Sequence, residues 1–206
     1  MNIQQSVIFI HVVFALSAFL CGFIAIIAKP KGGTLHKKAG RFYVYTYWGV
    51  IATSILFLYD ELTFFFLALT LFNAYLITAG WYYARIGSKM KNKNLWLLIF
   101  IWVVVIIYLL DFILMLSNLE NYKSGWIIVH STYALLAISI CRLENKKNKN
   151  RIIHHTTLTI MSYITLFNGL LARLSPIEWS WAFWIFGYFI GIPILFLGLK
   201  KLDKPI

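Results

Sequence analysis

Charged residues are scarce in this sequence of 206 residues, and acidic residues are the scarcest. Asp, Glu, Lys and Arg together make up 13% of the chain, with only seven acidic residues, whereas a soluble domain is about one quarter charged. Apolar residues make up 61%, and the mean hydropathy is +0.77. Apolar runs of about 20 residues, the length that crosses a bilayer, recur along the chain. The composition therefore argues against a soluble domain and predicts an all-α, multi-pass membrane protein.

Cysteine is also rare, and several familiar motifs are missing from the sequence. Cys21 and Cys141 are the two cysteines, and no Cys-x-x-Cys-His occurs, so a covalently attached c-type haem is not expected. The sequence contains no nucleophile elbow, P-loop or His-Glu-x-x-His motif, which leaves common soluble-enzyme chemistries without support. No positive charge precedes the first apolar run, and we therefore expect no cleaved signal peptide.

Seven apolar segments are predicted to form transmembrane helices. They cover about residues 3–28, 34–59, 62–83, 95–116, 125–141, 152–171 and 179–199. Of the 19 Lys and Arg residues, 17 follow the first, third, fifth or seventh segment. Because basic residues favour the cytoplasmic side, this bias predicts an outside N-terminus, an inside C-terminus and a location in the cytoplasmic membrane. The net charge of +12 then favours contact with the anionic lipids of the bilayer, and nucleic acid is not an expected partner.

Four histidines indicate an internal repeat. His11 and His36 are 25 positions apart, as are His130 and His155, and the two pairs are offset by 119 positions. Several flanking residues match at the same offset: Ala15 with Ala134, Leu16 with Leu135, Ala18 with Ala137, and Thr46 with Thr165. Self-similarity of this kind indicates a duplicated structural unit.

The repeat predicts how the helices are grouped. Helices 1 to 3 correspond to helices 5 to 7, and helix 4 links them, which gives a parallel 3+1+3 arrangement related by an axis along the membrane normal. We expect a single transmembrane domain over residues 1–206. Repeat 1 spans about residues 1–86, the linker helix about 95–118, and repeat 2 about 124–201.

The two predicted histidine pairs lie at different depths. His11 and His130 lie roughly 5–8 Å outside the middle of their helices, each above a stripe of small residues on the same helical face, whereas His36 and His155 lie at inner helix ends. Facing imidazoles on separate helices can hold a b-type haem, and small residues leave room for the porphyrin. The pattern predicts an outer haem on His11 and His130, an inner haem on His36 and His155, and electron transfer to or from a quinone or another redox partner.

Other interpretations of the polar residues stay open. The four histidines could instead make interhelical hydrogen bonds. Asp111 is predicted at the depth of His11 and His130, where it could orient a ligand histidine, complete a zinc-like site with both histidines, or bond to Tyr108 or Asn168. Two arginines, Arg41 and Arg173, are candidates for a supporting role, and Arg173 could pair a haem propionate or extend toward the membrane surface.

Two other functions compete with electron transfer. The first is a metal-dependent intramembrane enzyme that uses His11, Asp111 and His130 around one divalent ion such as zinc. The second is a small-solute transporter, because parallel repeats suit alternating access. Only Pro193 interrupts a predicted helix, and paired broken helices are therefore not indicated. No sequence feature indicates an oligomeric state.

Residues 35–43 read Leu-His-Lys-Lys-Ala-Gly-Arg-Phe-Tyr. This stretch resembles the Leu-His-x-x-x-Gly-Arg-x-Tyr signature of an uncharacterised family of bacterial membrane proteins, a domain of unknown function. The likeness extends to His11 and to the tandem His154-His155, although Thr156 and Thr157 stand where members often have Arg and Trp. The resemblance implies a bacterial inner-membrane location and no assigned activity. In layout, though not in motif, the four histidines are also similar to dihaem b561-type cytochromes.

Overall fold

The computed structural model describes residues 3–57, 64–85, 94–117, 124–145, 150–174 and 180–202. Within these ranges the chain is helical without any strand. The helices are α1 (Ile3–Ile27), α2 (Thr34–Phe57), α3 (Phe64–Arg85), α4 (Leu95–Ser117), α5 (Ser124–Asn145), α6 (Arg151–Leu174) and α7 (Ser180–Leu202). The all-helical prediction is therefore confirmed.

Five helices extend beyond the ends predicted from the apolar segments, α3 and α4 by one or two residues and α5, α6 and α7 by three or four. The predicted fifth helix ended at 141, but α5 continues to Asn145, because its last turn packs the buried side chain of Glu144 into the core. Helices α6 and α7 each continue three residues further than predicted. The predicted ends near residues 59 and 62 lie outside the described residues.

Within the described residues, four helices are long and apolar enough to cross a membrane: Gln4–Ile27, Phe64–Arg85, Leu95–Ser117 and Gly125–Asn145. Many large apolar side chains on α1 and α4 are exposed, including Phe9, Leu20, Ile99 and Ile113. Exposed apolar surface of this extent on long helices suits contact with lipid tails and not with water. The chain is thus a helical protein with several helices suited to the bilayer.

The chain divides into two compact units, residues 1–62 and 63–206. The first unit contains α1 and α2, which pack against each other. The small residues predicted below His11 are buried there, and Gly49 allows the approach, since a Cβ at that position would lie 2.6 Å from the Phe14 ring. The boundary between the units lies after α2, whereas the sequence repeat places α3 in one group with α1 and α2. The single transmembrane domain therefore stays a prediction.

In the second unit, α3 packs against α4 and α6, α4 against α5, and α7 against both α5 and α6. Helix α3 contributes a row of fully buried side chains: Phe72, Tyr75, Leu76, Ala79 and Tyr83. Because α3 touches helices on two sides, its polar groups can reach both α5 and α6, which is where the candidate site residues lie.

Glycine allows α6 and α7 to approach closely. The side-chain Oδ1 of Asn168 accepts a hydrogen bond from the backbone N–H of Gly187 at 2.6 Å, and both residues are buried. A Cβ at position 187 would lie 2.3 Å from that same oxygen. Only glycine therefore fits at this contact, which resembles the small-residue packing common between membrane helices.

Candidate functional site

One face of α5 carries polar groups at both ends of the second unit. His130, Tyr133, Ala137, Cys141 and Glu144 follow at helical spacing, and all five are buried. His130 lies near the start of the helix and Glu144 at its last turn, about 21 Å apart along the axis. Two separate polar clusters result, one at each end of α5.

The cluster near the start of α5 joins Asp111 of α4 to His130 of α5. The Nδ1 of His130 donates to Oδ2 of Asp111 at 2.5 Å, and the exposed fractions of the two residues are only 4% and 6%. The Phe65 ring covers the imidazole at 4.5 Å between centroids, and the Trp126 ring lies edge-on at 6.4 Å. This is the carboxylate–histidine contact that fixes ring orientation and tautomer at haem and metal centres.

In the first unit, His11 contacts Thr53 of α2. Its Nδ1 lies 2.8 Å from Thr53 Oγ1. The Thr53 hydroxyl lies within donating distance of the carbonyl oxygens of Gly49 and Val50, at 2.8 and 2.9 Å. Because that hydroxyl has one proton and gives it to a carbonyl, the remaining contact requires His11 Nδ1–H to donate to Thr53.

His36 bonds to the end of α1. Its Nδ1 donates to the carbonyl oxygen of Ala25 at 2.9 Å. The Nζ of Lys31 lies 3.4 Å from the same oxygen and also donates to the carbonyl of Ile26. Partial burial, with the charge of Lys29 as the second cause, lowers the pKa of Lys31. These donors satisfy carbonyl groups that the end of a helix leaves without intrahelical partners.

His155 of α6 bonds to the backbone of α3. Its Nδ1 donates to the carbonyl oxygen of Gly80 on α3 at 2.9 Å, and Thr159 Oγ1 lies 3.3 Å from the same nitrogen. A Cβ at Gly80 would lie 2.9 Å from Thr159 Oγ1, so glycine provides the space in which α3 and α6 meet. The imidazole is thereby positioned through a backbone group that substitution cannot remove.

His154 differs from its neighbour. It is 2% exposed, and both its ring nitrogens face carbonyl oxygens: Nδ1 lies 3.0 Å from Asn150 and Nε2 3.3 Å from Leu143. Its ring also packs on Tyr83 at 5.0 Å. These contacts join the start of α6 to the end of α5 and give His154 a structural role.

The four histidines predicted as ligands share one feature. His11, His36, His130 and His155 each place Nδ1 against a hydroxyl, carbonyl or carboxylate oxygen, at 2.5–2.9 Å. An acceptor at Nδ1 fixes the proton there in the neutral imidazole and leaves the lone pair on Nε2. Histidines that bind a metal through Nε2 have this arrangement. The donor set therefore fits haem iron or a divalent metal.

The other predicted site residues are placed as follows. The side chain of Arg41 is exposed, and the side chain of Arg173 lies outside the described residues. Each predicted haem pair takes one histidine from each unit, and the pairing stays a prediction. Within either unit, the described ranges contain no group of three or more His, Cys, Asp or Glu side chains that could hold a metal ion. The three-ligand site on His11, Asp111 and His130 draws on both units and also stays a prediction.

The cluster at the last turn of α5 centres on Glu144, which the sequence analysis did not identify. Its side chain is 1% exposed and accepts hydrogen bonds from Tyr75 to Oε1 and from Tyr83 to Oε2, both at 2.7 Å. In the sequence, Glu144 begins the polar run 144–151 and looks like part of a loop. Helical spacing could have predicted that Glu144 is buried, because Glu144 continues the face of α5 that carries His130.

The stretch at residues 35–43 forms the first turns of α2. His36 bonds to α1, and Tyr43 is buried and packs edge-to-face on Tyr47 at 5.5 Å. No protein-family model, curated protein or solved structure matches the chain. The likeness to the bacterial membrane-protein family therefore rests on this stretch and on the matching histidines His11, His154 and His155.

Proposed function

We propose that this chain is a haem-binding membrane protein that passes electrons across the membrane. His11, His36, His130 and His155 would hold the haem groups, each through Nε2. The pairing of His11 with His130 and of His36 with His155 follows from the sequence repeat. When bound, each haem would supply a one-electron carrier, and a quinone or another redox partner would exchange electrons with it.

The observation that carries this proposal is the shared hydrogen bonding at Nδ1. The nitrogens meet four different acceptors: a threonine hydroxyl, a carboxylate and two backbone carbonyls. The use of Nδ1 in all four supports a common purpose, namely a neutral imidazole with its Nε2 lone pair directed to a metal.

A metal-dependent intramembrane enzyme is the second candidate. The bond between Asp111 and His130 favours it, because a carboxylate beside a histidine occurs at catalytic zinc sites as well as at haem. In that case His11, Asp111 and His130 would surround one divalent ion, and His36 and His155 would have structural roles.

The visible absorption spectrum of the purified protein separates the two candidates. A sharp α band in the reduced-minus-oxidised spectrum supports haem, and two haems per chain are expected. A colourless protein with stoichiometric zinc supports the metal enzyme and refutes the haem proposal.

Paired variants test the ligand assignment. His11→Ala and His130→Ala should each lose the same haem, and the double variant should lose little more, because both ligands hold one group. His36→Ala and His155→Ala should lose the other haem. Full haem content in the His11→Ala, His130→Ala double variant would contradict the outer site.

We propose a seven-span topology in the cytoplasmic membrane, with the N-terminus outside and the C-terminus inside. It is supported by the placement of Lys and Arg and by the length of the helices. A reporter fused after Lys204 should be cytoplasmic, and one inserted at Glu120 should be external. The opposite location at either position would refute this topology.

A further inference from the structure

Four polar side chains of the second unit form a cluster that the proposed electron path does not use. This central polar cluster consists of Tyr108 of α4, Tyr133 of α5, Asn168 of α6 and Tyr188 of α7. All four residues are between 0% and 4% exposed, and the three tyrosines lie near the middle of their helices. In a membrane helix that position is far from bulk water, so polar groups there need partners inside the protein.

Aromatic contacts bring the central polar cluster together. The ring of Tyr133 stacks on that of Tyr108 at 6.2 Å between centroids and packs edge-on against that of Tyr188 at 5.6 Å. The side chain of Tyr133 also lies beside that of Asn168, and Tyr108 and Tyr188 are close enough to interact electrostatically. Four helices thus place polar groups in one small region.

Three polar atoms of the central polar cluster have no hydrogen-bond partner within the described residues. They are the hydroxyl oxygens of Tyr108 and Tyr188 and the amide nitrogen Nδ2 of Asn168. A buried polar group without a partner is costly, and most such groups in folded proteins bond to protein or to ordered water. Three of them in one region indicate that the cluster holds a ligand.

The bonds already made determine what this ligand must do. Oδ1 of Asn168 accepts the N–H of Gly187 at 2.6 Å, which fixes the orientation of the amide and directs both Nδ2 protons elsewhere. The Tyr133 hydroxyl donates to the carbonyl of Trp184 at 3.3 Å, and its oxygen can still accept. The other two tyrosine hydroxyls can both donate and accept. The ligand must therefore accept a hydrogen bond from Asn168, and it has acceptors available if it also donates.

Charge and size restrict the ligand further. A cation cannot bind to the protons of an amide nitrogen. An anion would be buried without a positive partner, because no Lys or Arg side chain is buried in the part of the chain that the structure describes, and the imidazole of His130 is held by Asp111. The contacting rings leave no room for an organic molecule. Water is neutral and small, and it both accepts and donates two hydrogen bonds.

We propose that the central polar cluster is a binding site for buried water. A water molecule accepts a hydrogen bond from Nδ2 of Asn168 and bonds to the hydroxyls of Tyr108 and Tyr188. It thereby connects α4, α6 and α7 where the side chains face one another without a direct bond. The site lies within the second unit and does not depend on haem.

The test is radiolytic hydroxyl-radical labelling of the purified parent protein, read by mass spectrometry. Radiolysis of a bound water produces a radical that oxidises the nearest side chains, whereas radicals from bulk water do not reach the core. Tyr108 and Tyr188 should be oxidised several times faster than Tyr75. Tyr75 is the matched control, since it is equally buried but donates directly to Glu144 at 2.7 Å. Equal labelling of all three tyrosines would overturn the proposal.

Tyr188→Phe tests whether the tyrosines share the water, because it removes one hydroxyl and keeps the ring. Labelling of Tyr108 should fall toward that of Tyr75. The midpoint of thermal unfolding should fall by about 2–4 °C, the shift expected for one lost hydrogen bond in a chain of this size. A hydroxyl buried without any partner predicts the opposite, since its removal relieves a cost. A raised midpoint, or unchanged labelling of Tyr108, would contradict the shared water. Haem content should be the same in this variant as in the parent.

Discussion

Gly187→Ala adds only one methyl group but should strongly destabilise the second unit. The new Cβ would lie 2.3 Å from Asn168 Oδ1, the atom that accepts the Gly187 N–H at 2.6 Å. Overpacking of this kind costs about 1–3 kcal/mol, and leaving the buried Asn168 oxygen without its donor costs about 1–3 kcal/mol more. Alanine regains about 0.5–1 kcal/mol of helix preference. The free energy of unfolding should therefore fall by about 3 kcal/mol.

Reversible unfolding in detergent, followed by circular dichroism, measures this change, and Gly169→Ala is the matched control. A Cβ at position 169 would meet Trp184 at 3.9 Å, an ordinary contact, so this control should not destabilise the protein. In an Asn168→Ala background the clashing atom is absent, and Gly187→Ala should cost less than about 1 kcal/mol. Equal costs in the two backgrounds would refute the Asn168 contact as the cause.

Three further changes test the site itself. Asp111→Asn should weaken haem affinity at the outer site about 10- to 100-fold, because the group that orients the ligand is altered; haem transfer to a competing apoprotein measures it, and unchanged affinity would contradict that role. Gly80→Ala introduces a Cβ 2.9 Å from Thr159 Oγ1, next to His155, and should change the spectrum of the inner haem while the outer haem stays as in the parent. His154→Ala should retain both haems but lower the free energy of unfolding by about 1–3 kcal/mol, since a buried ring that bonds to a carbonyl and packs on Tyr83 is removed; loss of a haem would show that His154 is a ligand.

Much of the architecture could be predicted because it depends on local composition. Long apolar runs bounded by basic and Gly-Pro segments indicate helices in any surroundings, and the helices formed where those runs are. The residues of the candidate site were also visible, because histidine and aspartate inside apolar helices require partners. His130 and Asp111, predicted at equal depth, are in direct contact.

What could not be predicted depends on long-range packing. Glu144 is followed by a lysine-rich run, and its burial is decided by tyrosines 69 and 61 residues away in the sequence. The packing of α3 against later helices also depends on long-range contacts. A repeat in the sequence does not determine which neighbours a helix packs against. The role of Gly187 depends likewise on the side chain of Asn168 in another helix.

The two predicted repeats differ in register at His36 and His154. His36 bonds to the carbonyl of Ala25, 11 residues earlier, and His154 bonds to the carbonyl of Leu143, again 11 residues earlier. The contacts of α2 and α6 with the preceding helix ends therefore correspond at an offset of 118, whereas the outer histidines correspond at 119. One residue turns a side chain by about 100°. His154 therefore contacts the preceding helix as His36 does, but both of its ring nitrogens face carbonyl oxygens. The Nδ1 of His155, like that of His36, donates to a backbone carbonyl.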